Sequence, residues 1–341
     1  METEISSVGE FGLIDRLTEG LKPVNASTVR SVGDDAAVVR YPDTDVLVST
    51  DMLLEGVHFD LTYVPLKHLG YKAAVVNFSD IYAMNGTPRQ ITVGLGVSSR
   101  FTVEHIEELY AGMRLACQVY GVDLVGGDTT SSRAGLVISI TCIGNAAPGR
   151  VVGRNGAKDT DLVCVTGDLG SAYMGLTLLE REKKVGAGQK DFQPDFAGKE
   201  YLVERQLKPE ARRDIIEALA KADILPTSMI DISDGLSSEL LHICKSSDVG
   251  CRVYEDRLPI DYQTAVMAET VNMNLATAAL NGGEDYELLF TVPLTDHDRV
   301  SQIPGVKVIG YITAAEKGAA LITRDGAEIP LQAQGFNHMS E

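Results

Sequence analysis

The chain has 341 residues, 44% of them hydrophobic and 23% charged, enough for about two packed domains of ~150 residues each. Its 48 Asp and Glu against 30 Lys and Arg leave a formal charge of −18. That charge repels phosphate backbones and anionic lipid surfaces, so neither nucleic-acid nor membrane partners are expected. The surplus acid is either a solubilising surface or a store of metal ligands.

In chain order, the acidic start METEISSVGE lacks the basic and apolar blocks of a signal peptide. Residues 45–50 (DVLVST) are expected to form a strand and 65–84 a helix whose KAAVVNFSDIYAM stretch is apolar nearly all round. A strand at 90–97, an amphipathic helix at 103–120 and strands at 122–126 and 135–144 follow. The Gly-, Pro- and Arg-rich stretch 146–158 (AAPGRVVGRNGAK) marks an inter-domain crossing, which divides the chain into 1–147 and 148–341. The second half opens with a strand at 161–166. It continues with helices near 171–183, 209–222, 236–246 and 273–280 and strands near 251–254, 286–292 and 306–311. Residues 186–198 read as a surface excursion. The fold class is α/β (α+β) in two roughly equal halves.

No run of about 18 apolar residues suggests a membrane span. The odd set Cys117, Cys142, Cys164, Cys244 and Cys251 contains no CxxC and reads as free thiols of a reducing cytoplasm. Six histidines without HExxH spacing make zinc unexpected. GxxxxGK[ST], GxGxxG and GxSxG are all absent, which removes the P-loop, the dinucleotide fingerprint and the nucleophile elbow.

The acids gather in short glycine- or hydroxyl-flanked motifs at the ends of apolar runs. These are SVGDD (31–35), STD (49–51), NFSD (77–80), GGDTT (126–130), DISDG (231–235) and GGED (282–285). Carboxylates at such places suit a hard cation, which takes oxygen ligands and bridges carboxylates to substrate phosphates. Taken singly, each motif also has a plain structural use. Asp34 or Asp35 could be a turn residue, Ser233 or Asp234 a helix cap, and Gly126 to Asp128 a tight turn. Asp80 is harder to explain that way. Its carboxylate lies in an apolar helix, three residues from Asn77, and is costly there unless paired or metal-bound.

Read in order, GEF (9–11), GDDAA (33–37), STDMLLEGVHF (49–59), VNFSDIYAM (76–84), GGDTT, DISDGL (231–236), GGEDYELLF (282–290) and the closing GFNHM (335–339) resemble the thiamine-monophosphate kinases over essentially the whole chain. GDD, STD and SD recur across the wider superfamily similar to aminoimidazole-ribonucleotide synthetase. EGVHF together with GGDTT, DISDGL and GGEDYEL is similar to the thiamine-phosphate member. The resemblance implies γ-phosphoryl transfer from ATP to thiamine monophosphate in thiamine diphosphate biosynthesis, with several Mg2+ ions and room for a monovalent cation. It also implies two α/β domains, the N-terminal ones pairing across a homodimer to complete a β-barrel.

Carried over by position, the resemblance makes Asp35, Asp51, Asp80, Asp128 and Asp231 magnesium ligands. Ser49 and Thr50 add hydroxyl or main-chain oxygens, and Asp234 serves a further ion. Tyr110, Gly127, Asp128, Arg154 and Ser233 would touch ATP, and His58, Glu284 and Phe336 the thiamine phosphate, while Asp34 stays structural. Two alternatives are another ATP-dependent member of the superfamily and a non-catalytic acidic module that binds cations or nucleotides. Cys117 is too far along the chain for the N-terminal cysteine of selenophosphate synthetase. Cys251 falls short of the C-terminal cysteine of the hydrogenase-maturation member.

Overall fold

The computed structural model describes residues 26–30, 33–189 and 193–333. The motifs GEF and GFNHM, with Phe336, lie outside the described residues, as do Ser31 and positions 190–192 within the expected surface excursion.

The first half contains β1 (Thr28–Arg30), β2 (Ala37–Tyr41), β3 (Thr44–Leu54), α1 (Leu66–Ala83), β4 (Thr87–Val97), α2 (Val103–Tyr120), β5 (Asp123–Ser131) and β6 (Val137–Ala146). Its six strands are ordered β1-β2-β3-β6-β4-β5, with β4 and β5 parallel and the other pairs antiparallel. The period of two along β3 and β6 sends Leu47, Leu53, Ile138, Ile140 and Cys142 into a core under α1 and α2. The opposite face, with Val46, Val48, Met52 and Ile143, stays open, and Met52 is 55% exposed.

Helix α2 follows its sequence signals closely. Thr102 and His105 cap its start reciprocally, Gly121 ends it in the left-handed conformation, and Leu109, Met113, Ala116 and Tyr120 form its buried stripe. Helix α1 has no such stripe, because it is sandwiched. Sheet one lies on one side and α2 and the second half lie on others, so 14 of its residues from Leu69 to Ala83 are buried.

The second half contains β7 (Leu162–Thr166), α3 (Ser171–Gly186), α4 (Glu200–Leu207), α5 (Arg213–Lys221), β8 (Ser228–Asp231), α6 (Leu236–Ser247), β9 (Val249–Tyr254), α7 (Tyr262–Thr270), α8 (Leu275–Asn281), β10 (Leu288–Val292), α9 (His297–Val300), β11 (Val306–Ala314), β12 (Ala319–Ile322) and β13 (Glu328–Pro330). Its sheet is ordered β13-β12-β9-β11-β7-β10-β8. Every residue of β7, β8 and β10 is buried, with separate apolar clusters on the two sides of the sheet.

Three departures from the sequence expectations matter for function. Strand β3 runs to Leu54, so Asp51 sits inside the ladder opposite Ile140 and not in the turn beyond it. The expected helix at 209–222 begins only at Arg213, and a separate α4 precedes it. Pro209 lies between the two and has no N–H with which to continue a helix. Strand β8 was not expected at all, because four residues buried on both faces show no alternation. No described helix is long and apolar enough to cross a membrane.

Candidate active site

Three carboxylates from distant parts of the sequence converge where the halves meet. Asp35 precedes β2, Asp80 lies in the last turns of α1 and Asp231 ends β8, and one oxygen of each lies within 4.8 Å of the others. Each is held by a side chain from a different part of the chain. Asp80 accepts from the Ser49 hydroxyl of β3. Asp231 accepts from the Ser79 hydroxyl at 2.6 Å. The Arg154 guanidinium binds Asp35 Oδ1, and Asp35 Oδ2 is buried without a partner.

Asp51 reaches the same region from β3, where period two puts it on the side of Ser49; its backbone N–H donates to Asn77 Oδ1 at 3.2 Å. Burial, reinforced by mutual repulsion, holds these acids above the usual carboxylate range. Asp35 is raised to about 7 and Asp51 and Asp231 to about 6, and Asp80 is pushed well up by burial and then by Asp51, Asp231 and Asp35. Four crowded acids and an orphaned carboxylate oxygen form an oxygen-rich donor set that one guanidinium only partly neutralises. Such a set fits a hard divalent cation.

The remaining candidates are spread over several places. Thr50 points to the open face of sheet one, where its hydroxyl meets Thr141 Oγ1 at 2.9 Å, so only its main-chain oxygen remains for the ligand role expected of hydroxyl or main chain. Asp128 is exposed on β5, outside the triplet of converging carboxylates, and accepts from the Thr129 N–H at 2.9 Å. Gly127 beside it must be glycine, since a Cβ there would lie 2.0 Å from the Val93 carbonyl oxygen across the β4–β5 ladder. Tyr110 is half-buried on α2 against the first core. Asp34 accepts from the Arg154 N–H at 3.2 Å and pairs with Arg30, so it braces the Arg154 loop.

Ser233 and Asp234 lie in a loop organised by a residue that sequence reasoning missed. Glu239 is buried in the first turn of α6, and its Oε1 accepts from the N–H groups of Ser233, Asp234 and Gly235 at 3.1, 2.8 and 3.2 Å. The GGED segment packs on that loop. The Glu284 N–H donates to the Ser233 carbonyl at 2.7 Å, and a Cβ on Gly283 would come within 2.4 Å of the same oxygen. Glu284 itself adopts φ +65°, which non-glycine residues rarely do. Its neighbour Asp285 has a separate task, accepting from the Gly170 and Ala172 N–H groups at 2.7 and 3.3 Å to cap α3.

His58 follows β3, and its Nδ1 accepts from the Leu54 N–H at 3.0 Å. Its ring lines a small enclosed pocket with Phe59, Tyr63, Lys72, Leu176 and Gln206. Lys72, also missed from sequence, stands two turns before Ser79 on α1. Its only sequence signal was a charge at the head of an otherwise apolar stretch.

Residues 33–146 match the family described as AIR synthase related protein, N-terminal domain, and residues 158–322 match the corresponding C-terminal domain. Fold and site thus define a two-domain protein of the AIR-synthase-related class. Within that class, thiamine-monophosphate kinase of Aquifex aeolicus (strain VF5) is 35% identical over 315 residues, spanning 90% of this chain and 96% of that protein. The Bacillus subtilis (strain 168) thiamine-monophosphate kinase is 34% identical over 339 residues, spanning 96% and 99%. The solved structure of AaThiL complexed with AMPPCP and TMP covers 99% of both chains at 32% identity with a TM-score of 0.85. The HypE–HypF complex, at 18% identity and a TM-score of 0.69, shares the fold alone. The chain belongs to the thiamine-monophosphate kinase family.

Proposed function

We propose that this chain transfers the γ-phosphoryl group of ATP to thiamine monophosphate, giving thiamine diphosphate in thiamine diphosphate biosynthesis. The observation that carries the reading is the convergence of Asp35, Asp80 and Asp231 within 4.8 Å in a buried setting, in a chain otherwise poor in phosphate-binding motifs. The acceptor is a phosphate monoester whose second pKa is about 6, so near neutrality its oxygen is already a nucleophile and no general base is needed. The obstacle is repulsion between two anions, and phosphoryl transfer is mainly positioning and charge neutralisation. Bound Mg2+ supplies that neutralisation.

Asp35, Asp51, Asp80 and Asp231 would hold the ions, with Ser49 Oγ, the Thr50 main-chain oxygen, Asp128 and Asp234 as further ligands. Arg154, now lodged on Asp35, would turn its planar fork to a nucleotide phosphate once a cation takes over that carboxylate. Tyr110, Gly127 and Ser233 complete the nucleotide side, and His58, Glu284 and Phe336 the thiamine side. Division after residue 147 leaves most of the carboxylates in the first domain and Asp231, Asp234 and Glu284 in the second.

A second copy of the chain, covering the open face of β3 and β6 to form a homodimer, accounts for the exposure of Met52 and its neighbours. Five free, buried cysteines suit the cytoplasm. The test is to incubate the chain with ATP and thiamine monophosphate, with and without Mg2+, and to follow thiamine diphosphate. Failure to form product at saturating Mg2+ would overturn the proposal.

A further inference from the structure

Lys72 is 5% exposed on a helix most of whose residues are buried. An ammonium group there is costly unless it is paired. Its partner comes from the other half of the molecule: Lys72 Nζ lies 2.9 Å from Glu284 Oε2. It also donates to the Gln206 carbonyl at 3.1 Å. Gln206 completes the arrangement, since its Nε2 donates to the same Glu284 Oε2 at 2.7 Å. One carboxylate oxygen is therefore held by two N–H donors, one from α1 and one from α4.

The backbone carrying that carboxylate is held as firmly. Its left-handed φ is strained and persists only where the surroundings over-determine it. Here the hydrogen bond to Ser233 and the close seat of Gly283 do so. The Glu284 side chain nevertheless remains 30% exposed, whereas that of Lys72 is 7% exposed. An ion pair needed only for stability would have no reason to leave its acidic member open to solvent while strained backbone aims it. Both donors fall on Oε2, which makes Oε1 the oxygen available to a ligand. Lys72 and Gln206 also line the pocket that holds His58, Phe59 and Tyr63.

We infer that Lys72 and Gln206 are positioning residues: they fix the Glu284 carboxylate so that its Oε1 faces the cationic ring of the substrate, which makes the site selective for a positively charged phosphate ester. The inference rests on the function proposed above, because thiamine carries a fixed positive charge on its thiazolium ring. Lys72 touches Glu284 and acts through it. It keeps the carboxylate oriented and leaves phosphoryl transfer to the acids beyond Ser79.

Steady-state kinetics and calorimetric binding of thiamine monophosphate on the full chain test this. Lys72→Met should raise both KM and Kd for thiamine monophosphate about tenfold, a loss of about 1.4 kcal/mol. The KM for ATP and kcat should stay within about twofold of the parent. Gln206→Ala should shift the same constants in the same direction and serves as the second variant if Lys72→Met folds poorly. Added to Glu284→Gln, Lys72→Met should do no further harm, because the orientation it maintains no longer matters there. Additive losses in that double variant, an equal rise in the KM for ATP, or unchanged constants in Lys72→Met would each overturn the inference. Absence of thiamine diphosphate from the unaltered chain would overturn the function itself. Product from the unaltered chain with Lys72→Met indistinguishable from it would overturn this inference alone.

Discussion

The Ser79 hydroxyl donates to Asp231 Oδ2 at 2.6 Å and so joins the central helix of the first half to the last residue of β8 in the second. Beside it, Asp80 faces Ser49 on β3. Two consecutive residues of one helix thus bond side chains in two different domains, and the cluster exists only when the halves are docked.

Removing one acid from the cluster separates its functional value from its structural cost. Asp80→Asn should lower kcat by about 100-fold or more, the scale of losing a major electrostatic contribution to a transition state. The metal-free variant should at the same time melt higher than the parent at pH 8, because Asp80 is held well above its ordinary range by burial and three neighbouring acids. A lower melting temperature in the absence of metal would refute the account of the site as internally repulsive.

The same repulsion predicts how stability follows pH. Asp35 is raised to about 7 and Asp51 and Asp231 to about 6 from an ordinary 3.8. Between those limits the folded chain binds more protons than the unfolded one, so its stability falls as pH rises. Without metal, the contribution of these acids is fully present below about pH 4, so melting should decline as pH rises from about 5 to about 7 and level off above that. Mg2+ should recover the loss at the higher pH and add little at the lower. Calorimetric scans with and without Mg2+ read this directly.

For His58 the structure supplies a control. Its Nδ1 accepts the Leu54 N–H, which leaves the ring proton of the neutral imidazole on Nε2. His58→Ala should raise the KM for thiamine monophosphate about tenfold, leaving that for ATP near its parent value. In His58→Asn the side-chain oxygen can take over the Leu54 bond and hold the turn. A selective loss of ATP affinity in either variant would reassign the residue.

Adjacent glycines on β5 should behave oppositely. At Gly127 a Cβ would meet the Val93 carbonyl at 2.0 Å, whereas at Gly126 it would find nothing within 4 Å. Gly127→Ala should cost about 1–3 kcal/mol by forcing β4 and β5 apart. It should also reduce activity by displacing Asp128, and Gly126→Ala should leave melting within about 0.5 kcal/mol of the parent. Denaturant melts of the two variants give the comparison.

Much of this was legible in short-range pattern. Alternating elements announced two α/β halves, and the amphipathic stripe of α2 placed that helix at its observed bounds. The acidic motifs stood out because glycine and hydroxyl residues flanked them. Period two along β3 even separates Ser49 and Asp51 from Thr50, once the strand is known to run past Thr50. Three features stayed hidden. Strand β8, buried on both faces, has no alternation to read. The partner of Lys72 lies over 200 positions away, and Glu239 reveals its role only through the loop it organises.

The sequence by itself determined much of the inventory: most of the strands and helices of both halves, the glycine- and hydroxyl-flanked acidic motifs, and which family the motifs resemble. Those properties depend on neighbours within a turn or two of chain, where periodicity and residue chemistry suffice. Only the tertiary structure decided which acids share one site, that Thr50 turns its hydroxyl away, and that Lys72 secures Glu284 from the other domain. Those outcomes depend on strand register and on the docking of two buried surfaces, and contacts made across the whole length of the chain set both.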